Sequence, residues 1–250
     1  MLKRISITIG ASDVAACIGL NPYKSQDDMM KTIMSKYFPK KGIKTNTEKA
    51  VELLATSDIG TQINLDIYNQ AGNIKTSVMN DIVKDAADTL ENVFQGEDKK
   101  IVLDYLQSKA NTTHGIRNED KTAQSIVENG LGTKLIEDHT FHRFTLYETE
   151  KYKFHLVGRI DRLDVEEDGT TTLIEIKNRV NRLFNCVKEY EHIQIQTYLH
   201  LLDLEKANLI EQYRDQSSMN AFPIERNREL WNNTILPGLV AFCMNVEEVA

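Results

Sequence analysis

VGRIDRLDVEEDGTTTLIEIKNR, Val157 to Arg179, reads as two strands joined at an Asp168-Gly169 turn, yet it sets Asp161 and Glu175 among Ile160, Leu163, Leu173 and Ile176. An apolar hairpin gains no stability from carboxylates in its buried face. Register decides where those carboxylates go. Side chains alternate faces along a strand, and opposed residues of an antiparallel pair share a face. A three-residue loop of Glu167, Asp168 and Gly169 pairs Asp161 with Glu175 and Arg159 with Lys177, which gathers Asp161, Glu175 and Lys177 on one face. The commoner two-residue loop opposes Asp161 to Ile176 and splits the acids between faces. Two facing carboxylates repel each other. A divalent cation turns that repulsion into a site, since Mg²⁺ is held by one or two carboxylates, waters and substrate phosphate oxygens. Lys177, two residues past Glu175, would then orient an attacking water or stabilise charge on a phosphate. A solvated edge hairpin is the bland alternative, and D-x₁₃-E-x-K alone does not separate the two.

Two more polar groups sit on apolar faces. In RNEDKTAQSIVEN (117–129) the helical stripe is Ala123, Ile126 and Val127, and Glu119 falls in line with it. The competing explanation is an acid in a first helical turn, favoured by the dipole. In the helix from Val187, the inner face is Tyr190, Ile193, Thr197, Tyr198 and Leu201, with Gln194 among them. A buried amide must find partners.

The rest of the chain sets bounds. With 250 residues, 41% hydrophobic and 27% charged, it is long enough for one sizeable globular domain or a domain with an insertion. A net charge of −7 argues against a general nucleic-acid coat, but Arg159, Arg162, Lys177, Arg179, Arg182 and Lys188 make the region of the hairpin locally basic. Cys17, Cys186 and Cys243 are too scattered for a disulfide framework or a zinc ribbon. There is no membrane-length apolar run, and MLKRISITIG has too short an apolar stretch for a signal peptide, so the expectation is an intracellular protein.

Along the chain, ITIGASDVAACIGLNPYKS reads as a strand or turn entering a helix capped at Ser12 and stopped at Asn21-Pro22. Residues 27–110 read as a mainly helical insertion or subdomain, broken near Pro39–Thr47, Gly72–Thr76 and Gly96–Asp98. Strands are expected at Phe141–Tyr147, Lys153–Val165, Thr171–Lys177, Ala207–Tyr213 and Asn220–Glu225. Helices are expected at Arg117–Asn129, Val187–Leu204 and Arg228–Val246, the last bent at Pro237. The class is α/β, a central mixed sheet flanked by helices.

These stretches together resemble the PD-(D/E)xK nuclease superfamily, and within it the lambda exonuclease and YqaJ-type viral recombinases. GRID carries Asp161, EIK carries Glu175 and Lys177, the upstream helix carries Glu119 as the early acid, and QIQTY carries the Q-x₃-Y pair Gln194 and Tyr198. IGASDVAACIGLNPYKS is similar to the amino-terminal serine motif of the YqaJ group. The resemblance implies a single nuclease domain over 1–250 with a restriction-endonuclease-like core. It implies metals held by Glu119, Asp161, Glu175 and the Ile176 carbonyl, with Lys177 and Gln194 also catalytic. Ser12, Arg4, Arg159, Arg179 and Tyr198 become candidates for DNA phosphate contacts, Arg4 at a loose offset; Tyr198, like Tyr152 and Trp231, also reads as core packing. The implied activity is a Mg²⁺-dependent 5′-to-3′ exonuclease on linear double-stranded DNA, with Mn²⁺ as a substitute. Its partners would be DNA ends and a single-strand annealing protein, and it would form a homo-oligomer in the cytoplasm or nucleus of a host cell. A site- or structure-specific endonuclease and a catalytically silent DNA-end-binding module remain as alternatives. The helical insertion has no counterpart in that family pattern.

Overall fold

The computed structural model describes residues 4–71, 76–213 and 218–250. Its strands are β1 (Ile5–Gly10), β2 (Leu135–Ile136), β3 (His142–Glu148), β4 (Tyr152–Gly158), β5 (Arg162–Val165), β6 (Thr171–Arg179), β7 (Lys206–Tyr213) and β8 (Ser218–Glu225). Its helices are α1 (Val14–Cys17), α2 (Gln26–Tyr37), α3 (Asn46–Ala55), α4 (Asp58–Gln70), α5 (Thr76–Thr89), α6 (Gly96–Glu128), α7 (Glu189–Leu202), α8 (Arg228–Leu230) and α9 (Leu236–Val249). The class is α/β as expected, with two mixed sheets in place of one: β1-β4-β3, and β2-β5-β6-β7-β8.

That division falls inside the expected strand Lys153–Val165. The chain leaves β4 at Gly158, buries Ile160 in the core of the larger sheet, and re-enters as β5. Between β5 and β6 the register pairs Arg162 with Ile174 and Val165 with Thr171. It is the register of the three-residue loop, with Gly169 at φ 86° as the left-handed residue such a loop requires. Strands β6 and β7 run parallel, and α7 forms the crossover. Alternation then splits β6 cleanly. Leu173 packs with Ile195, Tyr198 and Leu199 of α7, while Ile174 and Ile176 pack with Ala123 and Ile126 of α6.

Helix α7 lies between the two cores. Ile193 joins the cluster of Ile7, Ile9, Phe154 and Leu156 from the smaller sheet, and Ile195 joins the larger one. A helix covered on both sides is apolar on both sides. Val127, expected on the buried stripe of α6, is exposed instead, and Thr122 and Ser125 share the buried face.

The helical region differs from expectation at both ends. Helix α2 starts at a Ser25–Asp28 capping box and buries Met29, Ile33 and Met34 in the core of the smaller sheet, so its packing is with that sheet and not with the helices that follow. The second core of α3, α4, α5 and α6 gathers Ala50, Leu54, Ile67, Ala86, Val102 and Leu106. Helix α6 runs unbroken through Gly115 for 33 residues, so one helix carries both this second core and Glu119. The break expected at Gly72–Thr76 lies outside the described residues but for Thr76, which starts α5. At the amino end, Ala11–Asp13 is a 3₁₀ turn, Ser12 is exposed and caps nothing, and α1 ends at Cys17, with Gly19 (φ 77°) turning the chain ahead of Asn21-Pro22. The expected bend at Pro237 is a π-turn, Trp231–Ile235, immediately before it.

Candidate active site

The site assembles where the Gly158–Asp161 crossing, β6 and α7 meet. Glu175 is 3% exposed. Its Oε1 accepts from Lys177 Nζ at 2.7 Å and from Gln194 Nε2 at 2.9 Å, and Lys177 Nζ also donates to Gln194 Oε1 at 3.2 Å. Asp161 Oδ2 accepts from the Ile176 backbone N–H at 2.7 Å. The pairing expected from sequence thus brings Asp161, Glu175, Lys177 and Gln194 together.

The electrostatics follow from that packing. Burial, then the nearby Glu175 carboxylate, push Asp161 well above the ordinary carboxylate range. Burial works against a charged Lys177, but Glu175 and Asp161 outweigh it and hold the ammonium above its usual pKa. The second oxygen of Glu175, Oε2, is buried with no hydrogen-bond partner. An orphaned carboxylate oxygen beside a second, repelled carboxyl is the donor set a hard divalent cation takes. The residues fit such an ion. Among the described residues, no three His, Cys, Asp or Glu side chains stand in metal-holding geometry. Glu119 is near enough to raise Asp161 but its Oε1 is engaged at 2.6 Å by Arg162 Nη1. Burial raises Glu119 while Arg162 opposes the rise.

The remaining candidates separate. Arg159 is exposed, its guanidinium 3.1 Å from His139 Nδ1, and Ser12 is exposed next to Ala11, where the smaller sheet meets Gly158. Arg4 precedes β1 at the end opposite to Gly10, paired with Glu148, roughly 20 Å of strand away from the site. The structure does not bring it to the cluster of Asp161 and Glu175. The Arg179 guanidinium spans Glu191 (2.6 and 3.0 Å) and Glu211 (3.0 Å), both fully enclosed, so its donors are engaged within the chain. Tyr198 is core, as the packing reading had it. Its hydroxyl donates to the Arg159 carbonyl at 2.9 Å and its ring lies against Gly158.

Several positioning residues were missed. Arg162 carried a visible signal, a cation placed directly after Asp161; Glu191 and Glu211 carried none beyond being acids at apolar positions. The close approach of Tyr198 to Gly158 explains why GRID and QIQTY occur as a pair: only a residue without Cβ leaves room for the ring.

The family model of the PD-(D/E)XK nuclease superfamily matches residues 37–230. The chain belongs to the PD-(D/E)XK nuclease superfamily. It is therefore a nuclease, a phosphodiesterase with the superfamily's α/β core, in a group whose members typically depend on divalent metal and bind DNA. Comparison with curated proteins gives no match. Among solved structures, the chain is similar to an alkaline exonuclease (LHK-Exo) from Laribacter hongkongensis, at 16% identity and a TM-score of 0.42 over 72% of this chain and 90% of that one. It is similar as well to a phage related exonuclease from Haemophilus somnus 129PT, at 14% identity and a TM-score of 0.42 over 100% and 98%. No helix among the described residues is long and apolar enough to cross a membrane.

Proposed function

We propose that this nuclease is a Mg²⁺-dependent exodeoxyribonuclease, with Mn²⁺ as a substitute, that digests linear double-stranded DNA from a 5′ end. The observation that carries the proposal is the Glu175 carboxylate: one oxygen locked by Lys177 and Gln194, the other buried without a partner next to the repelled Asp161. Asp161 and Glu175 would hold the metal, with the Ile176 carbonyl and Glu119 completing the donor set. The ion, when bound, supplies an acidified water and neutralises charge on the scissile phosphate.

The chain's own groups do the rest. Lys177, kept charged by its carboxylate neighbours, orients the attacking water and faces the charge that develops on phosphorus. Gln194 fixes the Lys177 ammonium against Glu175, so both arrive already aimed. Tyr198 holds the Arg159 carbonyl, and with it the turn that delivers Asp161. Ser12 and Arg159, both exposed near that turn, are the phosphate contacts retained. The single strand left behind would pass to an annealing protein in viral or phage recombination, in the cytoplasm or nucleus, with the enzyme acting as a homo-oligomer. Residues 1–250 form one nuclease domain to which the helical subdomain belongs through α6.

A gel assay with Mg²⁺ tests this. Linear duplex with a 5′ phosphate should disappear fastest, the same duplex without phosphate more slowly, and a closed circle not at all. Cutting of the circle would replace the exonuclease reading with an endonuclease one.

A further inference from the structure

Beyond the catalytic cluster, the loop from β6 to α7 is built more firmly than a connection requires. Glu211 of β7 is 0% exposed, and each of its oxygens accepts two hydrogen bonds. Oε1 accepts from the Asn185 N–H (2.8 Å) and the Asn220 amide (3.0 Å); Oε2 accepts from the Phe184 N–H (2.9 Å) and Arg179 Nε (3.0 Å). Burying a carboxylate demands such compensation. What it fixes is the loop itself, with Asn185 in the left-handed region at φ 55°. Phe184 is clamped as well, its ring centroid 4.0 Å from the Arg179 guanidinium and 5.0 Å from the Lys188 ammonium.

The loop presents two cations. Arg182 is exposed and has no carboxylate partner among the described residues; the Lys188 ammonium donates to Cys186 Sγ (3.2 Å) and lies over the Phe184 face, with no carboxylate on it among the described residues. In a chain of net charge −7, whose nearby Lys177 and Arg179 are both neutralised by acids, these two stand out. Together with Phe184, Asn185 and Tyr213 they line an open groove of about 440 Å³. The parallel register sets Glu211 beside Lys177, so the loop's anchor lies one strand spacing, about 4.8 Å, from the catalytic lysine.

We infer that this groove is a second DNA-backbone site, in which Arg182 and Lys188 take phosphates of the substrate strand adjoining the one being cut. Glu211 is its positioning residue. A pinned loop presents two cations at fixed spacing with little ordering cost, which suits a repeating polyanion better than free lysines do. The inference rests on the nuclease reading for its substrate, and its test is independent of cleavage.

The test is fluorescence anisotropy of the full chain with a labelled 5′-phosphorylated duplex in EDTA, across a salt series. Arg182→Ala/Lys188→Ala is compared with the wild type and with Lys151→Ala/Lys206→Ala, which removes the same charge from exposed positions elsewhere. Each duplex phosphate contact contributes about 0.9 to the slope of log K against log salt, so the loop variant should lose about 1.8 and the control none. Equal slopes for the two variants, or no DNA binding by the wild type, would overturn the site. Wild-type cleavage in Mg²⁺ is scored separately: cutting with equal slopes sinks the loop alone, and a loop-dependent slope without cutting sinks the exonuclease reading alone.

Discussion

Gly158→Ala probes how closely the turn into Asp161 is packed. A Cβ at this position would stand 2.5 Å from Tyr198 Cε1, 3.1 Å from Cδ1 and 3.2 Å from the Ala11 Cβ. The ring has little room to yield, since Tyr198 is 5% exposed within the cluster of Ile160, Leu173, Ile195 and Leu199. Overpacking of this kind costs about 1–3 kcal/mol. At roughly 2–4 °C per kcal/mol for a chain of this size, melting should fall by roughly 2–12 °C. Activity should fall further than stability suggests. A ring pushed aside carries its hydroxyl off the Arg159 carbonyl, now 2.9 Å away, and disturbs Gln194, whose amide spans Glu175 and the Tyr198 hydroxyl. Displacement of positioning groups by about 1 Å can cost about a hundredfold in rate. Thermal melts and steady-state cleavage of linear duplex read the two effects. Adding Tyr198→Leu should make the double variant less unstable than the sum of the singles, by about 0.5–3 kcal/mol. A Gly158→Ala protein that melts and cuts like the wild type, or strict additivity in the double variant, would refute the close-approach reasoning.

Lys177→Ala should lower cleavage by about a hundred- to thousandfold in a chain whose circular dichroism is still that of the folded wild type; a folded variant that cuts at the wild-type rate would deny Lys177 a catalytic role. Mg²⁺ at a hundred times its Kd should stabilise the wild type by about 2.7 kcal/mol and Asp161→Asn hardly at all, measured by thermal shift without DNA. In Glu211, burial raises the pKa, but Asn220, the Phe184 and Asn185 N–H groups and Arg179 outweigh it and hold it below the usual range. A depressed carboxylate contributes stability above its unfolded pKa of about 4.3 and loses it as pH falls through the folded value. The stability gap between wild type and Glu211→Gln should therefore narrow from pH 5 to pH 3, and a constant gap would contradict the assignment. Burial pushes the Cys17 thiol up and the Cys243 thiol to about 12, while Cys186 is exposed; a thiol reagent should modify Cys186 alone in the native chain and all three after unfolding.

What was legible in the sequence was what local pattern encodes. The β6 alternation, the Gly169 turn and the apolar stripe of α7 each obey a short-range rule, so Glu175, Lys177 and Gln194 could be placed on their faces before any contact was known. The break after Gly158 was not legible, because a single glycine inside a strand pattern does not mark its end and only the positions of two different sheets demand the crossing. Gly115 misled in the opposite sense. A glycine inside a helix costs about 1 kcal/mol, which packing on both halves of α6 outweighs. The internal pairing of Arg179 was not legible, because its partners, Glu191 and Glu211, lie 12 and 32 residues onward.

Arg162 shows how those long-range terms shape the site. Its guanidinium is 5% exposed, donating to Glu119 Oε1 at 2.6 Å, to Asp120, and to the Asp161 carbonyl at 2.5 Å. An enclosed guanidinium is tolerated only when its forked donors are met by oxygens in its plane, and here they come from two separate elements. The same side chain therefore fixes the rotation of α6 against the hairpin and the backbone of the residue that delivers Asp161. Lys177 performs the matching task on the other face, between Glu175 of the sheet and Gln194 of α7. The acids of the site are thus aimed in pairs by cations of the chain itself. Preorganisation of this kind accounts for carboxylates that a hairpin built for stability alone would not hold.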